Sequence, residues 1–243
     1  MSGRDPHPDA EHDGAASFAA TGSAPRSAQV PPDDGAVRLV LVRHGRTPSN
    51  VRHALDTKVP GPPLDELGRE QAREVAGLLA DWPVRALYAS RATRAQETAA
   101  PIGAALGTRV QELPGTHEVF VGDLDNRDDD AARAIFDEVF ESWWDGDPGR
   151  PMPGGESAED VWARFLPDVE RVLDGVTSGA VVLVSHGAVI RVVTQALLGA
   201  SADSGLGRDN PVPNTGRVVL RRDPGGWALE LWDPMPQHSR SAH

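Results

Sequence analysis

Two segments of this chain share one pattern, and that pattern limits the folds open to it. Val37-Arg38-Leu39-Val40-Leu41-Val42 runs straight into Arg43-His44-Gly45, and Ala180-Val181-Val182-Leu183-Val184 runs straight into Ser185-His186-Gly187. Both are nearly unbroken runs of β-branched residues and leucine. Such runs suit parallel strands buried on both faces, which have no solvent side to carry alternating polar residues. Val84 to Ala89 predicts a third strand and Arg109 to Glu112 a weaker one. Arg217 to Arg221 and Trp227 to Trp232 flank Asp223-Pro224-Gly225-Gly226, a turn sequence, and predict a hairpin at a sheet edge.

Helical patterns alternate with these strands. Leu64, Leu67, Gln71, Val75, Leu78 and Leu79 mark one helix, Ala92 to Leu106 a second and Ala131 to Trp143 a third. Ser157 to Val176 opens with the capping-box-like Ser157-Ala-Glu-Asp160 and is expected to kink at Pro167. Val189 to Leu198 follows the second His-Gly. The alternation predicts an α/β fold, a three-layer α/β/α sandwich whose sheet is mostly parallel with an antiparallel edge strand. The ordered domain is read as residues 37–232. Residues 1–36 hold five prolines in a Ser/Ala/Gly/Asp background, with only Phe18 and Val30 large and apolar beyond the initiator, and read as a disordered tail. Residues 233–243 read as a flexible C-terminal tail.

Composition removes several functions. A net charge of −12 lacks the basic face that nucleic acid or an anionic membrane surface requires, so no nucleic-acid partner is expected. The absence of cysteine excludes disulfides, thiol nucleophiles and zinc–thiolate sites. No apolar run approaches a membrane span, and the N-terminus has no apolar segment of the signal-peptide kind, so a cytoplasmic location is expected. Nothing in the sequence assigns an oligomeric state.

In parallel α/β sheets, ligands bind outside the carboxyl ends of the strands. Both His-Gly pairs fall there. With 8 His and 25 Gly, chance alone supplies about one such dipeptide, so the argument rests on placement after two matching strands. Arg43 precedes the first His; Arg46, Thr47 and Asn50 follow it. Beyond the third strand, Ser90 is expected to cap a helix that carries Arg94 one turn in. Guanidinium forks match two phosphate oxygens with two parallel N–H donors. The plainer reading of Arg94 is a surface arginine paired with Glu97 or Glu70. Cleaving a phosphate ester also needs a proton donor. Glu118 is the carboxylate set among apolar neighbours, which is expected to raise its pKa. Asp123, Asp125 and Asp128 to Asp130 are expected in a solvated loop and in the first turn of the next helix.

Leu41-Val-Arg43-His44-Gly45-Arg-Thr47-Pro-Ser-Asn50 resembles the signature of the histidine phosphatase superfamily, the phosphoglycerate-mutase-like fold. Four further motifs follow in that family's order. They are Leu64-Asp65-Glu-Leu-Gly68-Arg-Glu-Gln71-Ala72, Ser90-x-x-x-Arg94-Ala-x-x-Thr98-Ala99, Glu118-x-x-x-Gly122-Asp-Leu-Asp125, and Pro153-Gly-Gly155-Glu156-Ser157 with Val184-Ser-His186-Gly187. The family usually has Glu-Gly where this chain has Asp125-Asn126. The resemblance implies that His44 is the nucleophile that becomes phosphohistidine. It implies that Arg43, Arg94 and His186 clamp the phosphoryl oxygens with help from Asn50 and the Gly187 backbone, and that Glu118 donates a proton and then activates water. It implies no metal and no cofactor, since the arginines supply the positive charge. The expected function is a metal-independent phosphomonoesterase acting on a small phosphorylated metabolite. The alternatives are a phosphoglycerate-type mutase and a non-catalytic phospho-ligand binder. The 32 residues between Gly122 and Gly155 and Ala188 after the second His-Gly favour hydrolysis over mutase chemistry. Substrate specificity is expected in residues 51–63 and 123–153. Trp143-Trp144 is read as core packing.

Overall fold

The structure is a computed structural model, and it describes residues 34–199 and 205–233. Most of the two expected tails lies outside these residues. Their inner ends are held: Asp34 accepts two hydrogen bonds from the Arg38 guanidinium, the Ala36 carbonyl accepts from Gly179 N–H, and Asp233 pairs with buried Arg217 at 2.9 Å. Buried Arg38 and Arg217 take these carboxylates as partners.

The sheet has six strands in the order β3-β2-β4-β1-β5-β6. They are β1 (Val37–Arg43), β2 (Val84–Ala89), β3 (Val110–Glu112), β4 (Gly179–Ser185), β5 (Arg217–Asp223) and β6 (Gly226–Trp232). β1, β2, β3 and β4 are mutually parallel; β5 runs antiparallel to β1 and turns back into β6 as the expected edge hairpin. The helices are α1 (Pro48–Val51), α2 (Glu66–Leu79), α3 (Thr93–Leu106), α4 (Asp130–Trp144), α5 (Ala158–Leu173), α6 (Gly187–Leu198) and α7 (Gly205–Asp209).

Successive residues of a strand point to opposite faces, so the two buried strands feed two cores. Val40, Val42, Val182 and Val184 pack with Val75, Leu79, Ala99 and Ile102 of α2 and α3. Leu39, Leu41, Val181 and Leu183 pack with Phe140 of α4, Phe165 of α5 and Val189 and Val193 of α6. The three-layer sandwich follows from this division. Trp143 is buried in the second core and Trp144 packs against it, as read from sequence. α5 opens with the expected Ser157–Asp160 capping box but runs unbroken through Pro167. Sequence reading misses α1, α7 and the 3-10 turns Pro114–Thr116 and Gly122–Leu124.

The two runs that opened the reading are neighbours in space, with Arg43 in register with Ser185. The chain leaving β1 crosses to the α2 face, and the chain leaving β4 crosses to the α6 face. Their carboxyl ends therefore frame a crevice at a topological switch point, and His44 and His186 stand at its lip.

Candidate active site

His44 is buried, and its N–H is held by the Ser185 carbonyl at 3.0 Å. Its Nδ1 lies 2.7 Å from the Gly45 carbonyl, which makes Nδ1 the protonated nitrogen and leaves Nε2 with its lone pair. Arg94 Nε donates to that lone pair at 3.2 Å and to His186 Nδ1 at 3.2 Å. His186 in turn sets Nε2 2.7 Å from Ser90 Oγ. The two imidazoles sit edge to face, 5.2 Å between centroids. Burial, then Arg94, then Arg43 hold the His44 pKa well below its ordinary value; burial, Arg94 and His44 do the same for His186. Both rings are neutral at physiological pH.

Ser90 is not the helix cap expected from sequence. Ala92 occupies that position without a side-chain bond, while the Ser90 hydroxyl is engaged by His186 and by Ala92 N–H. Arg94 is not a surface residue paired with Glu97 or Glu70 either. It is buried, donates to the Asp56 carbonyl at 3.1 Å and stands 3.8 Å from the Asp56 carboxylate. Glu97 instead accepts from Leu64 N–H. Arg43 donates from Nη1 to the Val212 carbonyl at 2.6 Å. Arg43 Nε and Arg94 Nη1 are buried with no hydrogen-bond partner among the described residues. Burial lowers the pKa of both guanidinium groups. Buried donors of this kind are costly, and an anion that accepts from them removes the cost.

Glu118 reaches the same pocket by a different route from the one expected. Val119 and Val121, which follow it, are buried in the core, while its carboxylate faces the start of α6 and accepts from Ala188 N–H at 3.1 Å and Val189 N–H at 2.8 Å. These are orphan donors of a helix N-terminus, and they fix both oxygens. Asp123 and Asp128 to Asp130 are exposed, and Asp129 caps α4 with Asp130 in its first turn. Asp125 departs from the expected solvated position: only 10% of its side chain is exposed, and it accepts from Thr57 N–H and Oγ1. Asn50 is fixed by a reciprocal capping box with Thr47 at the start of α1 and lines the pocket. Gly187 earns its place by lacking a side chain, because a Cβ there would lie 3.1 Å from Arg43 Nε.

The remaining motif residues support these. Asp65 caps α2 and pairs with Arg46 at 2.6 Å, Gln71 holds Arg46 N–H, and Thr98 Oγ1 accepts from Gly45 N–H, so α2 and α3 lock the loop behind His44. Gly68 is obligatory there, since a Cβ would fall 2.1 Å from the Arg46 carbonyl. Glu156 accepts from Phe120 N–H and pairs with Arg164, which also donates to the Glu118 carbonyl. Together they staple the loop that presents Glu118. Asp56 and Arg133, from the stretches 51–63 and 123–153 expected to carry specificity, also line the pocket of about 380 Å³, as do Val212, Asn214 and Arg191, which sequence reading misses. Asn214 donates to the His44 carbonyl and to Asn50 Oδ1.

An α/β sheet with two neutral imidazoles between underused guanidinium groups defines a class of enzyme that handles phosphoryl groups. The profile of the histidine phosphatase superfamily (branch 1) matches residues 39–234, and the chain belongs to that superfamily, on its phosphatase side. It is 32% identical over 217 residues to a glucosyl-3-phosphoglycerate phosphatase of Mycolicibacterium vanbaalenii, covering 82% of this chain and 96% of that one. A solved mycobacterial glucosyl-3-phosphoglycerate phosphatase superposes with a TM-score of 0.70 at 28% identity, over 82% of this chain and all of that one. The PE-PGRS family protein PE_PGRS11 of Mycobacterium tuberculosis is 33% identical over 212 residues; the match covers 81% of this chain but only 36% of that longer relative. A 2,3-bisphosphoglycerate-dependent phosphoglycerate mutase of Rhizobium meliloti is 36% identical over 169 residues, 65% of this chain and 78% of the relative. Among the described residues, no helix is long and apolar enough to cross a membrane.

Proposed function

We propose that the chain is a metal-independent phosphomonoesterase working through a phosphohistidine on His44, with a small phosphorylated metabolite as substrate. The observation that carries this reading is the convergence of the unprotonated Nε2 of His44 with two buried guanidinium nitrogens that have no hydrogen-bond partner among the described residues. Arg43, Arg94 and His186 hold the phosphoryl oxygens, and the Asn50 amide and Gly187 N–H add donors. His44 Nε2 attacks phosphorus in line while the ester oxygen leaves. Phosphoryl transfer asks mainly for such positioning and for neutralisation of oxygen charge. Glu118, in its protonated form, gives the leaving oxygen its proton, then takes one from the water that cleaves the phosphohistidine. The arginines supply the charge that a metal supplies elsewhere, so activity is expected to survive chelation. The glucosyl-3-phosphoglycerate phosphatase relatives support hydrolysis and a phosphorylated sugar-acid type of substrate. A cytoplasmic location agrees with such a substrate.

The mutase reading has its own support in the mutase relatives. A single experiment separates the readings. Brief exposure to labelled substrate should leave an acid-labile, base-stable phosphate on His44, and His44→Ala should abolish both label and turnover. With 3-phosphoglycerate and its bisphosphate primer, free phosphate should then greatly exceed 2-phosphoglycerate. Full turnover by His44→Ala would sink the mechanism, and isomer formation outrunning phosphate release would make the enzyme a mutase.

A further inference from the structure

Arg94 touches both imidazoles, and its own charge is answered in an unusual way. Nε is shared between His44 and His186, and Nη2 donates to the Asp56 carbonyl at 3.1 Å. Nη1 is buried with no hydrogen-bond partner among the described residues. The Asp56 carboxylate faces it with Oδ1 at 3.8 Å, an ion-pair distance that lies beyond hydrogen-bond reach. Both side chains are largely hidden, 3% of Arg94 and 15% of Asp56 being exposed, and both line the pocket. Among the carboxylates that act on Arg94, Asp56 comes ahead of Glu118 and Asp125. Other buried arginines of this chain are paired closely: Arg217 with Asp233 at 2.9 Å and Arg38 with Glu230 at 2.7 Å. Arg94 and Asp56 stop about one ångström short of such a pair.

The gap is maintained by contacts on the Asp56 side. Asp56 Oδ2 accepts from Ser49 Oγ–H at 2.8 Å, and Asp56 N–H donates to the Ala54 carbonyl at 3.0 Å. The next residue, Thr57, is tied to Asp125 through both its N–H and its Oγ1. Ser49 is itself buried in α1, directly before Asn50. Gly61 makes the room for the guanidinium, since a Cβ there would lie 2.4 Å from Arg94 Nη1. Asp56 therefore offsets the Arg94 charge without occupying its donor. A phosphoryl dianion that enters the clamp meets a donor still unspent and, beside it, a carboxylate of its own sign.

Resting on the phosphatase reading above, we propose that Asp56 is an internal counter-ion of the phosphoryl clamp. It offsets the Arg94 charge while the pocket is empty, and it weakens the hold on the dianion so that inorganic phosphate leaves after hydrolysis. The phosphate released in the last step offers the clamp the same oxygens as the substrate. Arg43, Arg94 and His186 with no opposing charge would bind product as firmly as substrate, and binding the two equally does nothing for turnover. Asp56 acts through Arg94 and is a positioning residue, not a catalytic one.

The test reads the sign of a binding change, with inorganic phosphate and vanadate as probes. Both are titrated by calorimetry and used as competitive inhibitors of aryl phosphate hydrolysis. Asp56→Asn keeps an acceptor for Ser49 and removes the charge. It should bind both anions about 10-fold or more tighter than the wild type, the effect of removing one like charge from a buried site. KM for the aryl phosphate should fall with the phosphate inhibition constant, and kcat should be no higher than that of the wild type. Ser49→Ala releases the carboxylate to close on Arg94 and should bind phosphate no tighter than the wild type. Melting temperature reads the empty state. Asp56→Asn should melt below the wild type in anion-free buffer, because Arg94 loses its counter-charge, and should gain more than the wild type from added phosphate. Asp81→Asn, which removes an exposed carboxylate outside the pocket, should change neither reading. Unchanged or weaker phosphate binding by Asp56→Asn, or tighter binding by Ser49→Ala, would overturn the proposal while the phosphatase activity stands. So would a loss of melting temperature in Asp56→Asn that phosphate does not make good, since that marks a purely structural pair. Failure of the wild type to bind either anion would instead remove the phosphatase reading and this inference with it.

Discussion

At the scale of single residues, the site turns on one hydrogen. Arg94 Nε carries a single N–H, and both imidazoles point a lone pair at it from 3.2 Å. That arrangement requires two neutral rings, His44 protonated on Nδ1 and His186 on Nε2. Imidazole ¹⁵N spectra of the ligand-free protein should show both neutral tautomers persisting below pH 6.5; a ring that titrates at its ordinary value would contradict the geometry. The same depression has a stability consequence. Each folded pKa lies below the unfolded 6.5. As pH falls through 6.5 the unfolded chain takes up protons that the folded chain refuses, so stability is full above that pH and declines below it. Melting temperature should drop between pH 7.5 and 5.5, and His186→Gln should flatten that slope. His44, His186, Arg43 and Arg94 were legible in sequence because a side-chain type at a strand end has a signature. Val212, which meets Arg43 through its carbonyl, has none, since any residue offers a carbonyl. Asn214 was equally invisible, because its partners come from positions 164 and 170 residues away.

At the scale of elements, the strands and long helices could be read because periodic burial writes itself into the sequence. Short pieces could not: α1 spans four residues and α7 five, too short for a period to appear. Ser90 shows the opposite failure, a residue with good capping chemistry whose hydroxyl is taken by a histidine 96 positions away. The start of α6 is the element that assembles the site. His186 is its N-cap, Gly187 admits the Arg43 side chain, and the N–H groups of Ala188 and Val189 hold Glu118. A Cβ on residue 187 would sit 3.1 Å from Arg43 Nε and 3.3 Å from its Cζ. Arg43 has a flexible stem and can yield, so Gly187→Ala should leave the fold nearly as stable as before. It should also lower kcat/KM by roughly 10-fold or more, a displaced charge-assisted contact. A large fall in melting temperature with unchanged activity would show that Gly187 serves packing and not Arg43.

At the scale of the whole molecule, the chain is strongly acidic, yet its switch-point crevice gathers four arginines, two of which bury a nitrogen that has no hydrogen-bond partner among the described residues. Arg43 of β1 and Arg94 of α3 were legible in the sequence, whereas Arg133 of α4 and Arg191 of α6 join them only on folding, and the net charge of −12 gives no sign of that. Burying such groups together costs free energy that the two surrounding cores must supply. An anion bound between them returns part of that cost to the folded state alone, since the unfolded chain has no clamp. Phosphate or vanadate should therefore stabilise the protein by linkage, by about 2.7 kcal/mol at a hundredfold excess over Kd. For a domain of this size that is a rise in melting temperature of roughly 5 to 10 °C. The shift should be larger than sodium chloride of equal ionic strength produces, because a screening effect acts on every exposed pair and this one acts on a buried cluster. It should vanish in Arg94→Gln, whose melting temperature in anion-free buffer should in turn be equal to or above that of the wild type, one buried charge having been removed. Equal stabilisation of wild type and Arg94→Gln by phosphate would place the anion elsewhere and leave the clamp's unsatisfied nitrogens without a physical reason.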